Sequence, residues 1–217
     1  MKKQYAVIGL GRFGSAIVET LMNDGNEVLA IDLNEDQVNE FADKATHAVI
    51  ADSTNDEALR AIGIGNFDTV IVAIGNDMQA SILTTLVLKE LGINKVVAKA
   101  LNKRHGEVLK KIGADWVVYP EKDMGERVAH QLISPNVLNF IELAKNYSIE
   151  EIKVPSGMVE KSLKEINIRA EFNLTVIAIK DINGKIKISP SPDEVIQEKD
   201  VLVMIGENKD LQRFANL

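Results

Sequence analysis

The chain has 217 residues, 46% apolar and 26% charged, with a formal net charge of −7 and no cysteine. That length supports one or two domains with a real core. The missing cysteines exclude disulfides and thiolate metal sites and suit the cytoplasm, and the acidic balance argues against a non-specific nucleic-acid binder. No run approaches the ~18 consecutive apolar residues of a membrane span, and Met1-Lys2-Lys3-Gln4 leads into a strand without a signal-peptide core.

In chain order, the first element is the short apolar run Tyr5–Ile8, which breaks into Gly9-Leu10-Gly11-Arg12-Phe13-Gly14 before a helix reaching Asn23. Strand, Gly-x-Gly-x-x-Gly and helix are the parts of a dinucleotide phosphate loop. Gly9 permits the turn, Gly11 admits phosphate to the backbone, and Gly14 lets helix and strand pack closely. The new helix aims free N–H groups and its positive dipole end at an anion.

A second run, Val28 to Ile31, ends at Asp32, near the roughly 20-residue separation at which an acid reaches ribose hydroxyls; a plain turn acid is the alternative. A third run closes at Ala51-Asp52-Ser53, where a loop would border the adenine side of the cleft. Asp52 reads equally well as a helix cap for the segment starting near Asn55. The fourth, Val70 to Gly75, ends in Ile74-Gly75, where another strand edge would meet the ligand. Strands at 96–99 and 116–119 follow, with helices between that stop at Gly25, Gly63, Gly92 and Gly113 as left-handed caps. Six strands alternating with helices predict an α/β, Rossmann-like doubly wound parallel sheet, with the ligand at the C-terminal strand ends.

Beyond residue 120 the pattern changes. We expect a helical crossover over 121–145, with helices at 121–133 and 137–144 split by Ser134-Pro135. A small α+β domain at 146–217 should follow, its hairpin signalled by Asn183-Gly184. The boundaries are then 1–120, 121–145 and 146–217. The apolar side chains of 121–144 exceed what one face of a free helix needs, which predicts cover from a second subunit. The three histidines have no triad or metal spacing, and no nucleophile elbow is present, so binding explains the chain better than catalysis.

Arg12 sits in the first turn of a helix whose dipole disfavours a cation, unless phosphate binds there or the guanidinium turns to solvent. Glu121 follows Pro120 at a helix start, where an acid is favoured in any case.

The segments Gly9–Gly14, Val70–Gly75, Ile112-Gly113-Ala114-Asp115 and Pro120–Gly125, with the small tail, resemble the cytosolic RCK-domain regulatory subunits of Ktr/Trk-type potassium uptake systems, over essentially the whole chain. The resemblance implies RCK N-terminal (TrkA-N) and RCK C-terminal (TrkA-C) domains, dimers assembling into an octameric ring, and docking on a dimeric membrane potassium-translocating subunit gated by ATP versus ADP. It further implies that Gly9, Gly11, Arg12, Phe13 and Gly14 form the phosphate loop, with Arg12 reaching the γ-phosphate across the dimer. Asp32 would hold the ribose, Asp52 and Ser53 would border adenine, and Lys99 would touch nucleotide. Glu121 would contribute to a divalent cation, such as Mg, in the ATP state. Relatives often carry a second acid where this chain has Asn34. In the tail, Ile168, Arg169, Ala170 and Asn173 with Pro190 match a region that binds cyclic di-AMP in some members. NAD(H) binding, as a sensor or an NAD-dependent oxidoreductase, is the alternative, since Asp32 suits NAD as well.

Overall fold

The computed structural model describes residues 3–217 and divides into two compact units, Met1–Asp123 and Met124–Leu217. In the first, strands β1 (Gln4–Ile8), β2 (Glu27–Asp32), β3 (His47–Ile50), β4 (Thr69–Val72), β5 (Lys95–Lys99) and β6 (Trp116–Val118) form one sheet in the order β3-β2-β1-β4-β5-β6. Every pairing is parallel. The intervening helices are α1 (Arg12–Asn23), α2 (Glu35–Phe41), α3 (Asp56–Ala61), α4 (Met78–Glu90) and α5 (Lys103–Lys111). The expected doubly wound sheet is therefore present, and its strand order reverses between β1 and β4.

The near-continuous apolar runs follow from burial on both sheet faces. On one face Ala6, Ile8, Val70, Val72, Val96 and Ala98 pack with Leu59, Leu88 and Leu109 from α3, α4 and α5. On the other, Val7, Ala30, Ile71 and Val97 pack with Val18 of α1 and Val38 and Phe41 of α2. This second face is short of a helix. Within the unit, Tyr5, Ile71, Val97 and Val118 floor a groove of about 1040 Å³, walled by Phe13, Ile17 and Leu21 of α1 and by Trp116 and Pro120.

Helix α6 (Pro120–Ile133) starts with proline at its first helical position, where the missing N–H costs nothing. The expected second helix at 137–144 is instead strand β7 (Val137–Ala144), which turns at Lys145-Asn146 into β8 (Tyr147–Lys153). Pro135 keeps the preceding residue out of helical geometry. The run Val137-Leu138-Asn139-Phe140-Ile141 then gains more as a half-buried strand, pairing Phe140 with Glu150 and Ile141 with Ile149. The segment 121–145 is thus helical only to Ile133.

The second sheet is antiparallel, ordered β10-β9-β11-β8-β7, with β9 Thr175–Lys180, β10 Ile186–Ile188 and β11 Val201–Glu207. Helices α7 (Leu163–Ile166), α8 (Ile168–Phe172) and α9 (Asn208–Ala215) belong to the same unit. Its core joins Ile152, Leu174, Leu202 and Met204 to Ile166, Ile168, Leu211 and Phe214.

Candidate functional site

The Gly9–Gly14 loop lies at the β1/β4 switch point, and its glycines are fixed by geometry. Gly9 has φ +95°, and a Cβ there would lie 3.1 Å from the backbone of Ala73 and Ile74. A Cβ on Gly14 would lie 1.8 Å from the Gly9 carbonyl oxygen. Gly11 differs, because nothing lies within 4 Å of its would-be Cβ. It caps α1 without a side-chain hydrogen bond, and no acid follows in the first turn.

The other helices of the sheet have filled caps. Asn34, Asn55, Asp77 and Asn102 accept backbone N–H groups at the starts of α2, α3, α4 and α5. Only α1, among these five, presents open N–H groups and an unopposed positive dipole end of roughly half a charge.

Asp32 adjoins this opening. Its Oδ2 accepts from Leu10 N at 2.6 Å and its Oδ1 from Asn34 N at 2.9 Å. The carboxylate holds the loop and retains lone pairs for a ribose hydroxyl. The departure at Asn34 is its use as the α2 cap. Asp52 is exposed and accepts from Thr54 N and Thr54 Oγ1, which hold its carboxyl below the usual range. It is a turn former, and Asn55 is the cap. Ser53 is buried, its hydroxyl 2.8 Å from Thr84 Oγ1. That hydroxyl serves the packing of α4.

The remaining first-unit candidates gather around a buried ammonium. Lys99, at the end of β5, has a side chain only 10% exposed, and its Nζ donates to Glu121 Oε1 at 2.6 Å. The same Nζ lies 3.0 Å from a would-be Cβ on Gly75, beside Ile74, and 5.8 Å from the Phe13 ring centroid. The Lys99 hydrogen bond holds the Glu121 carboxyl below its usual range, and Arg12 adds to the effect. Arg12 is exposed and makes no ion pair within 4 Å among the described residues. Nothing in the sequence signalled the Lys99–Glu121 pair, since it depends on how deeply β5 buries a lysine.

For a divalent cation the protein offers one carboxylate here. Among the described residues, no group of three His, Asp or Glu is placed to hold a metal. Glu121 fits a Mg²⁺-like ion only where phosphate oxygens complete the shell.

In the second unit Ile168 is 4% exposed and packs in the core, so it cannot serve as an open wall for a base. Arg169, Ala170 and Asn173 are exposed around α8, and Asn173 ends it at φ +56°. Pro190 follows Ser189, itself at φ +51°, in the loop after β10. Arg169 and Asn173 share one helical turn, whereas Pro190 comes from a separate segment.

The TrkA-N domain family matches residues 5–120 and the TrkA-C domain family residues 149–217. The chain is 50% identical over 215 residues to Ktr system potassium uptake protein C of Bacillus subtilis (strain 168), covering 99% of this chain and 96% of the relative. Ktr system potassium uptake protein A of the same organism is 51% identical over 214 residues, with the same coverage. Among solved structures, the GsuK RCK domain aligns with 99% of this chain at 24% identity and TM-score 0.54. GsuK bound to ADP aligns with 61% at 27% identity and TM-score 0.52. This chain spans 46% and 34% of those two GsuK chains. The chain belongs to the TrkA-N/TrkA-C family of Ktr potassium uptake proteins.

Proposed function

We propose that this protein is the cytoplasmic, nucleotide-sensing subunit of a potassium uptake system, binding ATP or ADP in the first unit without turning them over. The observation that carries the reading is the open N-terminus of α1, where Gly11 leaves space, Arg12 is the first helical residue and the Lys99 ammonium lies 5.8 Å from the Phe13 ring centroid. GsuK, a relative in fold, binds ADP. Asp32 adds a carboxylate at the ribose position, worth about 1.5–3 kcal/mol as a charged hydrogen-bond partner. Arg12 extends past the loop and is the group suited to a third phosphate, with Glu121 sharing a divalent ion among crowded oxygens.

Gating requires that the two nucleotides favour different assemblies, because a ligand with equal affinity for two shapes shifts neither. The assembly is a homo-oligomer, a dimer leading to an octameric ring that docks on a dimeric membrane translocator. The groove on the second sheet face supports a dimer, since it leaves apolar surface where a doubly wound sheet needs a helix. Met124, Val128, Leu132 and Ile133 of α6 are exposed apolar side chains suited to cover such a surface on a second copy. The exposed turn Arg169–Asn173 is the place for cyclic di-AMP, with Arg169 on phosphate.

Titration calorimetry of the full chain with ADP, ATP and NADH tests the reading. Both adenine nucleotides should bind, and Arg12→Ala should weaken ATP while sparing ADP. NADH binding far more tightly than either, with hydride transfer to a substrate, would replace it with the oxidoreductase reading.

A further inference from the structure

Lys99 has a nearly buried ammonium, whereas its partner Glu121 is 68% exposed. A buried cation needs an anion, and an exposed carboxylate at a helix start has little need of a cation. The pair is therefore asymmetric: Lys99 depends on Glu121 more than Glu121 depends on Lys99. The ammonium also stands between three segments: it lies 3.0 Å from a would-be Cβ on Gly75 in the loop after β4, 5.8 Å from the Phe13 ring centroid at the start of α1, and hydrogen-bonded to Glu121 in the first turn of α6. Any phosphate seated on the open α1 terminus adds a second anion for the same cation.

We propose that Glu121 is an internal competitor for phosphate: with the nucleotide site empty it neutralises Lys99 and ties the first turn of α6 to the β5 end, and a bound nucleotide's phosphate displaces it and frees that turn. This rests on the nucleotide reading above and adds to it a route from the site to the helix that carries the exposed apolar face. Only ionic contacts exchange, and no bond is made or broken. Without a divalent ion the released carboxylate goes to solvent. With one, it is free to join the ion's shell.

ADP titrations in EDTA provide the test, with wild type, Glu121→Gln, Lys99→Gln and the double variant, so that no metal role of Glu121 contributes. Glu121→Gln should bind ADP about 3–10-fold more tightly than wild type, with most of that gain lost in the Lys99→Gln background. Hydrogen exchange at the amides of residues 121–124, including Asp123 N, which donates to Tyr119 O, should be faster in wild type with ADP than without, and Glu121→Gln without ADP should already show the faster rate. An unchanged or weaker affinity for Glu121→Gln would overturn the competition. An equal gain with and without Lys99 would also overturn it, by reducing Glu121 to a distant negative charge. If wild type bound no ADP at all, the nucleotide reading itself would fail, which is a separate result.

Discussion

Gly14 and Gly11 belong to one motif but have different surroundings, one crowded and one open, and two alanine substitutions separate packing from the proposed binding. In Gly14→Ala the new Cβ would sit 1.8 Å from the Gly9 carbonyl oxygen, little more than half the 3.4 Å at which ordinary contact begins. The partner atom is backbone and the position of a Cβ is itself fixed by the backbone, so no rotamer relieves the clash. Helix α1 must move off β1, which disturbs Val18 and Leu10 in the core. Overpacking of this kind costs about 1–3 kcal/mol, and a backbone clash belongs at the upper end. For a unit of this size that lowers the melting temperature on the order of 5–10 °C, with ligand absent. In Gly11→Ala the Cβ enters open space from an ordinary φ of −67°, so the empty protein should lose only the preference of a helix cap for glycine over alanine, roughly 0.5–1 kcal/mol and well short of the Gly14→Ala loss. The methyl group occupies the approach to the α1 N–H groups, so ADP affinity should fall about tenfold or more. At a ligand concentration of 100 wild-type Kd, that cuts the stabilisation from about 2.7 to about 1.4 kcal/mol. Thermal melts with and without ADP measure both. A Gly14→Ala protein as stable as wild type, or a Gly11→Ala protein with an unchanged ADP response, would refute the division of labour.

Other consequences follow from the same geometry. His105 is 1% exposed, accepts from Leu101 N through Nδ1, and leaves Nε2 without a partner; burial pushes its pKa down. A depressed folded pKa means that stability holds above the unfolded value near 6.5 and is lost as pH falls towards the folded one. Melts from pH 7.5 to 5 should therefore slope less in His105→Gln than in wild type, and equal slopes would exclude this histidine. Leu132→Asp, at a side chain 77% exposed, should leave the fold intact yet lower the oligomeric mass in light scattering; an unchanged mass would remove α6 from the interface. Ile168→Ala should cost about 2–5 kcal/mol as a core truncation, whereas Arg169→Ala should leave stability within about 0.5 kcal/mol and abolish any cyclic di-AMP heat. A stable Ile168→Ala variant would contradict the burial of that side chain.

Legibility of the chain followed locality. The Gly9–Gly14 turn could be read because a positive φ at Gly9 and a backbone approach at Gly14 leave one residue type. The six parallel strands could be read because burial on both faces gives unbroken apolar runs. Strand β7 could not, because Val137–Ala144 takes its structure from pairing with β8, and its apolar spacing alone also fits a helix. Ser53 shows the same limit: its hydroxyl is claimed by Thr84 on a helix 31 residues away. The Lys99–Glu121 contact and the groove are tertiary facts, one set by burial depth and the other by a helix missing from one face.

The open cap on α1 gives a last prediction, in which stability and binding move in opposite directions. Gly11 already has the extended backbone of a helix cap, φ −67° and ψ −179°, and space for a side chain. Gly11→Asp can therefore accept the free N–H groups of the first turn, worth a few tenths of a kcal/mol over glycine. Its charge also meets the helix dipole and the nearby Arg12, adding about 0.3–1 kcal/mol. The empty protein should thus melt a few degrees higher than wild type. The carboxylate stands where phosphate would, so calorimetry should show no ADP heat. Asparagine at the same position separates the two terms, since it caps without the charge and should give a smaller rise in melting temperature. A lower melting temperature for both variants would mean that the α1 terminus is not free to be capped, and the anion site would lose its main support.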